Sequence, residues 1–316
     1  STVSISDSYF YDNGAQNDPA YGGAIRIISS LDNLSINGCS FIDNGSVDSA
    51  YDGAGHGGAM YVKAYMTSIL IDDCTFSGNG YATGGALDLT DLIIAPVITN
   101  SYFFNNTATY NGGAVEVNAG SNTVTISHTI FSGNTAVREG GAMHAWNTAD
   151  AGTQLSLTNV TFEENVAGTG RQSGGGGAIH IPSGQSISIH NCTFRSNLAM
   201  VFDGGSIYVD AHVNWLDVVD TIFDSNRATF GNGGAVYLKS VGYSNVTRSN
   251  LVNNYGLKSG GALYMGDVQF CYHKYNTFEN NLGGSGGAVY ISTGISFTFS
   301  YSTFVYHRQS INGQYL

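Results

Sequence analysis

The chain has 316 residues, with 43 glycines, 42% hydrophobic residues, 11% charged residues and a formal net charge of −12. The hydrophobic content supports a packed core and argues against a disordered chain. Because nucleic acids are bound mainly through Lys and Arg, the acidic balance argues against a nucleic-acid partner.

The N-terminal residues already belong to a repeated unit, in which Phe-x-x-Asn is followed by a Gly-Gly pair. The first copy contains Phe10, Asn13, Gly22 and Gly23. Ten copies of the unit contain such a Gly-Gly pair, most often 27 to 29 residues apart, and one copy has Leu251 in place of phenylalanine. A fixed period of this length is the signature of a solenoid.

The residues after each glycine pair alternate between apolar and polar, as in Ile25, Arg26 and Ile27. A period of two predicts a strand. A second strand is predicted to end at each repeat phenylalanine, with an apolar residue five positions earlier, as Ile126 lies before Phe131. Two or three short strands per unit, joined by Gly, Asn, Asp and Ser turns, predict a parallel β-helix. We expect one domain, residues 1–316, with about ten to eleven coils.

Stacking of equivalent residues about 4.8 Å apart explains why the unit is repeated. It predicts an aromatic column of phenylalanines and a bend at each Gly-Gly pair that excludes a Cβ. It also predicts a buried amide ladder, in which each side chain donates to and accepts from its neighbours. The predicted ladder consists of Asn13, Asn44, Asn79, Asn106, Asn134, Asn165, Asn197, Asn226, Asn254 and Asn281.

Tandem Phe-x-x-Asn motifs followed by Gly-Gly-Ala and an aliphatic residue resemble the repeat of the chlamydial polymorphic membrane proteins, which also occurs in other microbial surface proteins. The resemblance implies a right-handed β-helix and a surface-exposed adhesin exported as an autotransporter passenger. The last unit departs from the pattern, because His307 stands where asparagine is expected.

The residue between the two apolar positions after each Gly-Gly-Ala is predicted to face outward, and chemistry would have to lie there. Asp88, Glu116, His144 and His180 fall on four consecutive coils. Glu116, His144 and His180 are a candidate set of ligands for a divalent metal. The competing interpretation is a solvated polar face, and no cofactor is predicted.

Four tyrosines continue the same column along the C-terminal coils. Tyr208, Tyr237, Tyr264 and Tyr290 are predicted to form an exposed ladder of rings. Tyrosine suits recognition because it combines a large apolar area with a hydroxyl group. The competing interpretation is that tyrosine is simply a favoured strand residue.

Two further features bear on an extracellular location. Cys39 and Cys74 lie two residues before the repeat phenylalanine in adjacent coils, so they are either a disulfide or two small buried thiols. Asn159 and Asn191 begin sequons and are candidate glycosylation sites.

We therefore expect a non-catalytic rod at the cell surface or outside the cell, acting as an adhesin or stalk. Its partner would be a receptor or glycan on a host or neighbouring cell, or other copies of itself. No apolar stretch approaches the roughly 20 residues of a membrane-spanning helix, so no transmembrane segment is predicted. The absence of a signal peptide and of evident end caps leads us to expect a segment of a longer protein or of a fibre.

Two alternatives remain for the function. The first is a filament subunit that assembles end to end or side by side. The second is a polysaccharide-active enzyme, since enzymes of this class use the fold and His56 lies in a "GHGG" stretch. No companion pair of carboxylates can be assigned to His56 from the sequence.

Overall fold

The computed structural model describes residues 1–14, 21–45, 55–91, 95–119, 123–146, 154–170, 174–182, 186–311 and 314–315. Every regular element in these ranges is a β-strand, and the strands stack as a parallel β-solenoid. The predicted fold class is therefore confirmed, although the solenoid has about nine turns rather than ten to eleven. The described ranges contain no helical segment that could span a membrane.

Three sheets form the walls of the solenoid. The first, called the wide sheet here, contains 17 strands. Six of them follow a Gly-Gly pair: Ile25–Ile27, Met60–Lys63, Leu87–Asp91, Val115–Ala119, Met143–Trp146 and Ile179–Ile181. Seven precede a repeat phenylalanine: Thr2–Ser6, Leu31–Asn37, Met66–Asp72, Pro96–Thr99, Thr123–Ser127, Gln154–Thr158 and Ser186–His190. In the last coils the two kinds merge into long strands: Ile207–Val219, Val236–Thr247, Leu263–Lys274 and Val289–Ser300.

The second sheet, called the phenylalanine sheet, has 11 strands that contain the repeat phenylalanines or their replacement. These strands are Tyr9–Tyr11, Ser40–Ile42, Thr75–Ser77, Tyr102–Phe104, Ile130–Ser132, Thr161–Glu163, Thr193–Arg195, Ile222–Asp224, Asn250–Val252, Thr277–Glu279 and Thr303–Val305. Equivalent residues pair in register, as Phe103 does with Phe131.

The third sheet, called the short sheet, has ten strands, of which the first eight follow a repeat asparagine. They are Gly80–Tyr81, Thr107–Ala108, Thr135–Ala136, Val166–Ala167, Leu198–Ala199, Arg227–Ala228, Tyr255–Ser259, Leu282–Ser285, Arg308–Ile311 and Gln314–Tyr315. The last two pair antiparallel, whereas the other strands of the solenoid pair in parallel.

A residue in the left-handed conformation separates neighbouring strands at each corner. His128 (φ 49°) separates Thr123–Ser127 from the strand that carries Phe131. The prediction of one continuous strand ending at phenylalanine is therefore wrong. Extended backbone cannot continue through a left-handed residue, so the chain turns there.

The Gly-Gly corner requires glycine twice, for two different reasons. Gly112 has φ +62°, a conformation that side chains with a Cβ rarely adopt. A Cβ on Gly113 would lie 1.9 Å from the carbonyl oxygen of Gly141 in the next coil. The predicted exclusion of a Cβ thus has a conformational cause at the first glycine and a steric cause at the second.

The core consists of stacked columns of equivalent residues. Phenylalanine rings such as Phe103 and Phe131 are fully buried and stack with centroids 4.7 Å apart. In the asparagine ladder, Asn134 Nδ2 donates to Asn165 Oδ1 at 2.9 Å and to the carbonyl of Phe103 at 3.0 Å. The departure at His307 extends the ladder, because His307 Nδ1 accepts a hydrogen bond from the backbone N–H of Asn281 at 3.3 Å.

Candidate functional site

The polar column after the Gly-Gly pairs is buried, which corrects the prediction of an outward, solvated face. Asp88, Glu116, His144 and His180 are at most 5% exposed. Several residues that come directly before a glycine pair contact this column from outside. Thr83, for example, donates from Oγ1 to Asp88 Oδ2 at 2.8 Å. Such cover depends on segments outside the strands, so strand alternation alone did not predict it.

Glu116 and His144 form a tight buried pair on adjacent strands. The two carboxylate oxygens of Glu116 lie 2.7 and 2.9 Å from His144 Nδ1. Burial raises the pKa of Glu116, which the neighbouring His144 partly opposes. Burial alone would lower the pKa of His144, but the carboxylate of Glu116 overrides it and the pKa of His144 is raised. Because His144 Nδ1 contacts Glu116 directly, these two groups do not face a metal position between them.

His180 is the next ring in the column and has an unusual environment. Its ring lies 5.0 Å from that of His144, between centroids, and 4.8 Å from that of Tyr208. Burial lowers the pKa of His180. Glu139 Oε2 lies 3.1 Å from His180 Nδ1, but the approach is not aligned as a hydrogen bond. Both ring nitrogens are buried without a hydrogen-bond partner.

The structure thus changes the predicted metal set. Glu139, His144 and His180 each offer a ligand atom within 4.8 Å of the others, whereas Glu116 lies behind His144 as its hydrogen-bond partner. The sequence did not single out Glu139, which lies outside the strands and immediately before the glycine pair. Only its position next to Gly140 links it to the repeat, and that position has no common residue type among the coils.

At the N-terminal end of the column, His56 contacts the buried carboxylate of Asp88. His56 Nδ1 lies 2.8 Å from Asp88 Oδ2, and the hydroxyl of Thr83 lies 2.8 Å from both atoms. His56 of the "GHGG" stretch therefore contacts one carboxylate, that of Asp88, which the sequence alone did not indicate. Asp88 Oδ1 is buried without a hydrogen-bond partner.

The predicted tyrosine ladder forms but is half-buried rather than exposed. The ring centroids of Tyr208, Tyr237, Tyr264 and Tyr290 lie 4.8 to 5.3 Å apart from one ring to the next, and the last three rings stack while Tyr208 is tilted by 51° from Tyr237. Burial raises the pKa of Tyr237 to about 12. A Cβ on Gly175 would overlap the ring of Tyr208, which shows how closely the covering segment packs. These rings therefore contribute more to packing than the sequence implied.

A second aromatic ladder, which the sequence analysis missed, is better exposed. Trp215, Tyr243 and Phe270 occupy equivalent positions on three consecutive long strands, and their ring centroids are 5.2 and 4.9 Å apart. Trp215 is 46% exposed and Tyr243 is 40% exposed. Each of the three lies eight residues before the repeat phenylalanine position. Aligning the coils on that position would have revealed the ladder.

The cysteines take the place of hydroxyl residues in the repeat. Cys39 and Cys74 are buried free thiols, so the disulfide alternative is not formed. Cys74 Sγ lies 3.1 Å from the carbonyl oxygen of Asp72, as Thr129 Oγ1 lies 2.8 Å from the equivalent carbonyl of Ser127. Burial raises the pKa of Cys74 to about 11.

The two candidate glycosylation sites share one corner of the solenoid. Asn159 and Asn191 both have left-handed backbone conformations. Asn191 is exposed, and its side-chain amide donates to Asn159 Oδ1. Asn159 Nδ2 in turn lies 2.9 Å from His128 Nε2. A glycan would have to replace these amide contacts, and glycosylation stays a prediction.

Comparison with known proteins supports the repeat type. Residues 100–117 and 159–182 match the Chlamydia polymorphic membrane protein repeat, which confirms the resemblance seen in the motifs. The chain is 29% identical to the probable autotransporter YfaL of Escherichia coli (strain K12) over 45% of this chain and 12% of that protein. It is 33% identical to metabotropic glutamate receptor-like protein R of Dictyostelium discoideum over 43% of this chain and 8% of that protein.

The chain therefore spans only about a tenth of the length of these curated relatives. No solved structure matches it.

Proposed function

We propose that the chain is a non-catalytic β-helix displayed at the cell surface or outside the cell, and that it acts as an adhesin through its lateral face. The shared repeat supports a surface location, since the matching family is described as membrane proteins and YfaL as an autotransporter. The partner would be a receptor or glycan on a host or neighbouring cell.

The exposed ladder of Trp215, Tyr243 and Phe270 is the observation that carries this proposal. Stacked aromatic rings that remain accessible to solvent are uncommon on a protein surface without a binding role. Their flat faces present a large apolar area with little side-chain entropy to lose. A row of ring faces repeating at 5.2 and 4.9 Å suits an extended ligand, such as a chain of sugar rings, lying along the solenoid axis.

The proposal is tested by truncating this ladder. Trp215→Ala combined with Tyr243→Ala is compared with the wild-type chain in binding to cultured cells and to an array of immobilised glycans. Since an aromatic residue that is a hot spot of an interface costs about 2 kcal/mol or more on truncation, we expect at least a roughly thirtyfold loss of affinity. The matched control is Tyr9→Ala with Tyr11→Ala, a stacked and exposed pair on the phenylalanine sheet.

Equal binding by the ladder variant and the control would refute the adhesive role of the ladder. Sedimentation velocity on the same proteins separates the partners. Self-association that is lost only in the ladder variant would make the partner another copy of the chain. Self-association that survives both changes would favour the filament alternative.

A further inference from the structure

We propose that Glu139, His144 and His180 form a binding site for a divalent transition metal ion of the Zn²⁺ type, with Glu116 orienting His144. The site is distinct from the exposed aromatic ladder and does not depend on the adhesive role. Imidazole and carboxylate groups are the common ligands of Zn²⁺, and two histidines with one carboxylate can hold it while leaving a fourth position open.

The environment of His180 is the first argument. The residue is 2% exposed, and both ring nitrogens are buried without a hydrogen-bond partner. A buried polar group left in this way costs about 1–3 kcal/mol. The carboxylates nearest to the ring, Glu139 at 3.1 Å and Asp210 at 3.9 Å, place negative charge beside it. A bound cation would supply His180 with a partner and neutralise that charge.

The spacing of the ligand atoms is the second argument. Tetrahedral Zn²⁺ with bonds of about 2.0–2.1 Å keeps its ligand atoms roughly 3.3 Å apart. His180 Nδ1 and Glu139 Oε2 are 3.1 Å apart, and all three ligand atoms lie within 4.8 Å of one another. Side-chain adjustments on the order of 1 Å would therefore complete the set.

The pairing of His144 with Glu116 is the third argument. A metal-binding histidine usually donates its other ring N–H to a carboxylate, which fixes the tautomer and the ring orientation. Glu116 provides this contact at 2.7 Å from Nδ1, so the tautomer inferred from the hydrogen bond places the lone pair of His144 on Nε2. The sequence had assigned Glu116 as a direct ligand, whereas the structure gives it the orienting role.

The ligands come from consecutive coils and from a segment that covers the column. His144 and His180 pair in register on neighbouring strands, while Glu139 lies outside the strands and is 26% exposed. Glu139 is the most exposed of the three ligands, so we place the entry route for the ion on its side. Once bound, it would link the covering segment to two coils, so metal binding would add to the free energy of unfolding.

Calorimetric titration of Zn²⁺ into the tag-free 316-residue chain, stripped with EDTA, tests the proposal. We expect one ion per chain, at least tenfold weaker binding in Glu139→Gln and in His180→Gln, and about tenfold to hundredfold weaker binding in Glu116→Gln. The controls are Glu163→Gln and His190→Gln, which alter a carboxylate and a histidine that are partly exposed elsewhere. Both controls should bind Zn²⁺ as the wild type does.

Two further measurements distinguish loss of the metal site from misfolding of a variant. Co²⁺ bound in place of Zn²⁺ should give visible absorption bands that disappear in His180→Gln, and Zn²⁺ should raise the melting temperature of the wild type but not of Glu139→Gln. Glu139 is partly exposed, so its substitution leaves the fold intact even if His180→Gln does not fold. No Zn²⁺ binding by the wild type, or unchanged affinity in Glu139→Gln, would overturn the proposal.

Discussion

Replacing one central asparagine of the ladder should destabilise the protein far more than replacing a terminal one. Asn134 is fully buried. Its Oδ1 accepts from the backbone N–H and from Nδ2 of Asn106, both at 3.0 Å. Asn134→Ala removes the acceptor of these two buried donors, and also the bonds from Nδ2 to Asn165 and Phe103. At about 1–3 kcal/mol for each unsatisfied donor, the expected loss is roughly 2–6 kcal/mol.

Asn13 provides the matched control at the first coil. It is only half-buried, and its side chain donates one hydrogen bond, to Asn44 Oδ1 at 2.8 Å. The backbone N–H of Asn13 also donates to that oxygen at 3.1 Å, so Asn44 keeps a partner in Asn13→Ala. The expected loss is about 1 kcal/mol.

Urea unfolding followed by circular dichroism and tryptophan fluorescence measures both variants. Solenoids can depart from two-state unfolding, so coincidence of the two signals and an unchanged m-value are required before free energies are compared. A loss for Asn134→Ala no larger than that for Asn13→Ala would refute the view that the ladder satisfies buried donors.

Three further predictions concern a glycine corner, a buried histidine and a buried cysteine. In Gly113→Ala the new Cβ would lie 1.9 Å from the carbonyl oxygen of Gly141, so we expect the free energy of unfolding to fall by about 3 kcal/mol or more. In the control Gly14→Ala the nearest atom is 4.0 Å away, so thermal unfolding should be nearly unchanged. Burial lowers the pKa of His273 from 6.5 to about 3, so between these values the unfolded state binds one more proton and stability falls as the pH falls. His273→Val should remove this pH dependence. The difference in free energy of unfolding between the wild type and the variant should therefore shrink by about 2 kcal/mol from pH 7 to pH 5. A difference that stays constant over this range would contradict the prediction. Because Cys74 is a free thiol, a reducing agent should not change the wild-type unfolding midpoint, and a lower midpoint would indicate a disulfide.

Much of the architecture can be predicted from the sequence because every coil repeats the same environment. Phe131, Asn134 and Gly141 each contact their own equivalents in the neighbouring coils, so the packing requirement at one position recurs in the sequence at a fixed period. The parallel strands, the phenylalanine column and the asparagine ladder all follow from that period.

The corners show where prediction from the period weakens. The left-handed residue before the phenylalanine sheet is His128 in one coil and Asn159 in the next, and Arg248 and Tyr275 occupy it later. Many residue types tolerate this conformation when the surrounding strands impose it. The corner therefore has no motif in the sequence, which predicts one strand where the structure has two.

The candidate sites depended on tertiary structure, because they involve residues without a common period. Burial of Glu116 and His180 results from covering segments that differ from coil to coil in length and composition, and Glu139 comes from one of these segments. Trp215 lies on a long strand that exists only where two shorter ones merge. Sequence alone thus determined what every coil shares, whereas the contacts that could bind a metal or a partner arise where coils differ, and only their packing in space brings those residues together.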